Sequence, residues 1–126
     1  MKHGKFSLRK RLASFRYAFA GIKALIRDEH NARIHLVATL CAVAAGFYFR
    51  ISSFEWIAVA VAIGLVFITE AINTAIEQLA DVVSPGKNER IGRIKDLAAA
   101  AVLLSAITAV VIGLVVFGPK VMAWFH

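Results

Sequence analysis

The stretch Trp56–Asp81, "WIAVAVAIGLVFITEAINTAIEQLAD", decides the fold. Fourteen uncharged residues, Trp56 to Thr69, run into a segment that carries Glu70, Glu77 and Asp81 while staying otherwise largely apolar. Charged groups are costly in hydrocarbon and persist there when they are paired or used. On a helix, Glu70, Asn73, Thr74, Glu77 and Asp81 share one face, because residues 3, 4, 7 and 11 positions apart nearly close whole turns. Glu70 and Glu77 then stand two turns apart, roughly 10 Å along the axis, too far to hold one ion directly but suited to different tasks along one ligand.

Composition places this segment in a membrane protein. Hydrophobic residues make up 60% of the 126, above the ~45–50% of ordinary globular domains. A soluble chain this small buries only about two-thirds of its unfolded surface, too little to hide that much apolar area. Uncharged runs at Ile34 to Phe49, Trp56 to Val83 and Leu97 to Pro119 predict three transmembrane helices. Their bounds are expected near 33–50, 55–83 and 96–118, in a single domain covering 1–126. The first is short, and Arg33 and Tyr48 at its ends suit the interface.

The N-terminal segment lacks the 7–15-residue apolar core of a signal peptide. Instead Leu8, Leu12, Phe15, Phe19, Ile22 and Ile26 step by 4, 3, 4, 3 and 4, which predicts an amphipathic helix over about 6–30. Lys5, Arg9, Arg16, Lys23 and Arg27 fall on one flank of it, as on a helix lying against an anionic membrane surface. No nucleic-acid-binding motif accompanies the formal charge of +7. Eight Lys and Arg precede residue 28, Arg33 follows, and four more lie in 84–95, against Arg50 and Lys120 elsewhere. The basic side is therefore expected in the cytoplasm, with the N-terminus. Cys41 stands alone in an apolar run, so no disulfide forms within the chain and a small buried side chain is expected.

"SPGKNERIGRIKD" ends the second span at Pro85 and Gly86 and brings Lys87, Arg90, Arg93 and Lys95. The third span is expected to open near Lys95 and Asp96. "RDEHNAR" adds Asp28, Glu29 and Arg33 to the same membrane surface. Carboxylates with cationic side chains at one interface suit a phosphate and a magnesium ion. Glu70, deeper toward hydrocarbon, suits a general base for a lipid hydroxyl. Thr69, Thr74 and Gln78 are read as helix glue. His30 and His35, five residues apart on different helix faces, are read as interfacial packing rather than metal ligands. Neither a P-loop nor a Rossmann glycine pattern is present.

"EAINTAIEQLAD" (Glu70–Asp81), the "KD" of Lys95 and Asp96, and "LAAAAVLLSA" after it together resemble the small bacterial diacylglycerol kinase family, which includes the undecaprenol kinases. The similarity runs from "FAGIKALIRDEHNARIHL" to "IGLVVFGPK". The resemblance implies an all-α membrane protein: a homotrimer of three-span subunits, each with a surface helix, with sites shared between neighbouring chains in the bacterial inner membrane. It implies ATP and Mg2+, with transfer of the γ-phosphate to undecaprenol or diacylglycerol. By the same resemblance Glu70 is the general base, Glu29 and Glu77 are magnesium-associated, and Asn73, Lys95, Asp96, Tyr17 and Lys10 border the nucleotide. Arg33 and Ala99 match positions near the lipid. The loop "PGKNERIG" lacks the acidic, aromatic and histidine cluster that often precedes the "KD". The rival expectation from another class is a nonenzymatic oligomer whose Glu70 and Asn73 line a cation pathway. That reading leaves Lys95, Asp96 and the basic segment unexplained.

Overall fold

The computed structural model describes residues 5–126, and among them the chain forms four helices: α1 (Leu8–Asp28), α2 (His30–Phe49), α3 (Ser53–Val83) and α4 (Glu89–Trp124). The last three are long and apolar enough to cross a membrane.

Three of the four helices, α1, α3 and α4, start where a side chain meets the free backbone N–H groups of the first turn. Ser7 Oγ accepts from Lys10 N at 3.4 Å. Ser52 and Glu55 form a reciprocal capping box, with Glu55 N to Ser52 Oγ at 3.2 Å and Ser52 N to Glu55 Oε1 at 2.9 Å. Asn88 Oδ1 accepts from Arg90 N at 3.0 Å and Ile91 N at 3.2 Å. That cap starts α4 at Glu89, seven residues before the expected opening at Asp96. Arg90, Arg93, Lys95 and Asp96 consequently ride on a helix rather than in a loop. Replacing Asn88 with Ala should lower stability by about 1 kcal/mol, measurable as an earlier thermal transition in detergent.

Between α1 and α2 lies a single residue, Glu29, in extended backbone (φ −110°, ψ 118°). The expected surface helix over 6–30 thus ends at Asp28, and the first span begins at His30. α2 ends at Arg50 in the left-handed region (φ 51°), with Ile51 N donating to Gly46 O at 3.1 Å and Arg50 N to Phe47 O at 3.3 Å. At the other terminus, α4 continues through Pro119 to Trp124, beyond the expected stop at 118. Trp124 packs there on Tyr48 and Phe49, with ring centroids 5.8 and 6.4 Å away.

α3 packs mainly on α4. At the α2–α3 turn the pair buries Ile51, Val59 and Val116, flanked by Phe49, Trp56 and Phe117. Lys120 Nζ reaches Glu55 Oε2 at 2.6 Å across this end. Large apolar side chains along the spans, among them Leu40, Ile57, Leu103, Leu104, Val110 and Leu114, stay exposed, as lipid or a neighbouring copy requires. Cys41 is exposed too, not buried, so it belongs to this outer apolar surface rather than to an interior.

Candidate functional site

α3 is 31 residues long, about 46 Å at 1.5 Å per residue, against a hydrocarbon thickness of ~30 Å. About 20 residues cross that thickness, so an upright helix counted from its capped start at Ser53 reaches the far edge near Asn73. The apolar half of the opening stretch fills hydrocarbon, and the polar face emerges at the boundary.

Glu70 is the buried acid, with 3% of its surface exposed. Its Oε1 lies 3.3 Å from His35 Nε2 on α2. The ring is not aligned to donate, so Oε1 is buried without a hydrogen bond. A turn further on, Asn73 Nδ2 donates to Glu77 Oε1 at 3.3 Å, while Asn73 Oδ1 is likewise buried and unpaired. Buried polar atoms normally have partners, since leaving one unpaired costs about 1–3 kcal/mol. Two such atoms on one helix face therefore ask for a ligand or a neighbouring subunit. Thr69, by contrast, is satisfied within α3, its Oγ1 donating to Leu65 O and Val66 O, each at 3.0 Å.

Across the polar end, Lys95 Nζ meets Asp81 Oδ1 at 2.6 Å, joining the last turn of α3 to the second turn of α4. A cavity of about 630 Å³ opens beside this pair, bordered by Ser84, Lys87 and Asn88. Arg33 Nη2 lies 3.2 Å from His30 Nδ1. The remaining residues singled out in the sequence, Lys10, Tyr17, Asp96 and Ala99, are exposed, and no side-chain bond ties them to Glu70 or Glu77 among the described residues. No three His, Cys, Asp or Glu side chains converge on one point among the described residues.

The acids at this end differ in availability. Asp28 is engaged: Arg27 Nε and Nη2 donate to its Oδ1 and Oδ2 at 2.8 and 3.1 Å. This hydrogen-bonded fork holds the Asp28 carboxyl below its usual range and the Arg27 guanidinium above its own. Glu29 and Glu77 have no lysine or arginine partner among the described residues, and the Glu29 carboxylate makes no capping bond to α2. Carboxylates without a cationic partner, Glu77 holding only the Asn73 amide, have the hard oxygens that fit magnesium.

One further feature borders the acid face. A groove of about 730 Å³ runs between α1, α2 and α3, lined by Ile22, Leu25, Leu36, Phe67 and Ile68 with Asp28, Thr74 and Gln78 among them. Neither Arg33 nor Ala99 lines it. His35 was not expected at the acid, because spacing along α2 says nothing about what α3 presents to it.

Three apolar helices of spanning length, one carrying a buried acid within it, define a multi-pass membrane protein. Residues 16–117 match the family described as prokaryotic diacylglycerol kinase, and the chain belongs to that family, making it a lipid kinase. It is similar to the undecaprenol kinase of Bacillus subtilis, 34% identical over 94% of this chain and 97% of that protein. It is also similar to the diacylglycerol kinase of Synechocystis, 36% identical over 81% of this chain and 59% of that protein. The diacylglycerol kinase of Escherichia coli is 33% identical over 75% of this chain and 78% of that protein. Family membership favours the kinase over the cation pathway.

Proposed function

We propose that this chain is an ATP- and magnesium-dependent kinase that phosphorylates the hydroxyl of a membrane lipid alcohol, with Glu70 as general base. The observation that carries the proposal is the buried Glu70 carboxylate, whose Oε1 has no hydrogen-bond partner. A base held out of water at the edge of hydrocarbon can meet a hydroxyl whose chains never leave the bilayer. The groove between α1, α2 and α3 has the apolar lining that such chains need.

Lys95 and Asn73 contribute donors to the nucleotide phosphates, and Asp96, Tyr17 and Lys10 border the nucleotide. Arg33 and Ala99 stand near the lipid. Glu29 and Glu77 would hold magnesium, which when bound supplies positive charge against the phosphate oxygens. Most of the remaining catalysis is positioning: the hydroxyl held beside Glu70 and the phosphates held by cationic side chains in line with it.

The site is shared between copies of the chain in a homotrimer. Lys10 lies 18 residues before Asp28 on α1, about 27 Å along the axis. Lys10 and Glu29 of one chain therefore stand too far apart to hold the same phosphate, which supports a site completed by a neighbouring copy. The exposed apolar faces of the spans fit such packing. α1 lies on the cytoplasmic surface of the inner membrane, its basic flank toward lipid phosphates.

Undecaprenol is placed ahead of diacylglycerol as substrate, in keeping with the near full-length similarity to a protein named undecaprenol kinase. The test is incubation of the purified protein in detergent with labelled ATP and both lipids in competition. Label is expected in undecaprenyl phosphate, and chelation of magnesium is expected to abolish transfer. Absence of transfer to either lipid, with cation flux from reconstituted liposomes, would favour the channel instead.

A further inference from the structure

Phosphorylation of an alcohol leaves a proton behind. The hydroxyl oxygen bonds to the γ-phosphorus, the bond from that phosphorus to the β-bridging oxygen breaks, and the hydroxyl hydrogen passes to the base. A base buried as Glu70 is must then shed that proton before every new turnover. Its side chain is only 4% exposed and its Oε1 touches essentially no solvent, so direct return to water is slow.

His35 is placed to take it. Its Nε2 lies 3.3 Å from Glu70 Oε1, and its side chain is 25% exposed. Thus one end of the imidazole meets the base while the ring as a whole is partly open. Imidazole also accepts a proton on one nitrogen and releases one from the other, reversibly near neutral pH. The other polar groups nearby do not serve. An amide such as Asn73 does not carry a proton, and its Nδ2 is engaged by Glu77. Glu77 itself is about 10 Å further along α3. Among the described residues no lysine or arginine pairs with Glu70. The off-line ring matters as well: His35 is near enough to receive a proton after a small side-chain rotation, yet it makes no hydrogen bond to Oε1 that a substrate hydroxyl would have to displace. His35 sits five residues into α2 from His30, about 7.5 Å from the polar end of the bundle.

We propose that His35 is the proton exit of the site, a positioning and relay residue that returns Glu70 to its carboxylate form after each transfer. This rests on the reading of Glu70 as the base. The proton moves from Glu70 Oε1 to His35 Nε2, the imidazolium releases the proton on Nδ1 to solvent, and exchange with water restores the Nδ1–H tautomer before the next turnover, with no oxidant or reductant involved.

The test compares H35Q and H35A with the unmodified protein in detergent, with lipid and magnesium-ATP each varied up to saturation. H35Q keeps a donor of similar size but carries no proton. Its kcat is expected to fall about 10-fold or more, with KM for ATP and lipid unchanged. In H35A, where the vacated space can admit it, the rate should climb again as imidazole is added to the buffer, whereas H35Q and the unmodified protein should not respond. Undiminished kcat in H35Q would overturn the proposal, and so would a slow H35A deaf to imidazole, which would mark His35 as structural only. E70Q run alongside separates the two readings. An inactive E70Q with a fully active H35Q removes only the exit, while an active E70Q removes the base and the exit together.

Discussion

Replacing Glu70 with Gln is expected to lower kcat by about 10²–10⁴-fold, the usual worth of a positioned general base, while the protein stays folded. Shape is conserved, and what disappears is the ability to accept the hydroxyl proton. Folding should tolerate the change because Glu70 has no lysine or arginine partner among the described residues. Its Oε1 makes no hydrogen bond to lose. A neutral amide also costs less to keep out of water than a carboxylate does. The thermal transition of E70Q in detergent should therefore lie at or above that of the unmodified protein. Activity and stability measured on one preparation decide the matter. Turnover within a few-fold of normal would take the base role from Glu70, and a collapsed transition would recast the acid as a structural element.

The span with the acids was legible because two strong signals coincide in it: an apolar run of membrane length and a polar face at helical spacing. Pro85 and Gly86 ended it plainly, and α3 stops at Val83. The start of α4 was misplaced although its signal was present. Asn88 before Glu89 is an N-cap followed by an acid in the first turn, but the density of charge from Lys87 to Lys95 resembled a loop. The break between α1 and α2 was expected within the charged run Arg27 to Arg33, but its narrowing to the single residue Glu29 had no glycine or proline to mark it, and only the extended backbone fixes it there. Continuation of α4 past Pro119 shows the opposite error, a breaker that does not break. Its ring removes only one backbone hydrogen bond, and the helix carries on to Trp124, which packs on Tyr48 and Phe49. The His35–Glu70 contact was out of reach for a different reason. It joins two helices, and periodicity within either one does not state the rotation between them. Lys10 and Tyr17 were singled out only through family resemblance, whereas Glu29 and Glu77 already stood out as carboxylates at the polar end, and no three such acids or histidines converge among the described residues to mark a site in one chain.

Gly46→Ala is expected to destabilise the protein, against the ordinary preference of helices. In a helix interior, alanine is favoured over glycine by about 0.8–1 kcal/mol. At Gly46, however, a Cβ would stand 2.5 Å from Trp56 Cη2 and 2.8 Å from Cζ2. The indole has little freedom to retreat. Its ring lies 4.9 Å from that of Phe47, and Trp56 borders the cluster of Ile51, Val59 and Val116. Overpacking of this kind costs about 1–3 kcal/mol, enough to offset the propensity gain and leave a net loss. Gly46→Val adds two further methyl groups against the same ring and should lose more. Gly92 supplies the control, being helical with nothing within 4 Å of its added Cβ, so Gly92→Ala should gain up to about 1 kcal/mol. Thermal unfolding of the three variants in one detergent tests the order, with Gly92→Ala highest, then Gly46→Ala, then Gly46→Val. If Gly46→Ala melted with or above Gly92→Ala, the close approach of α2 to Trp56 would not be what holds the turn end of the bundle together.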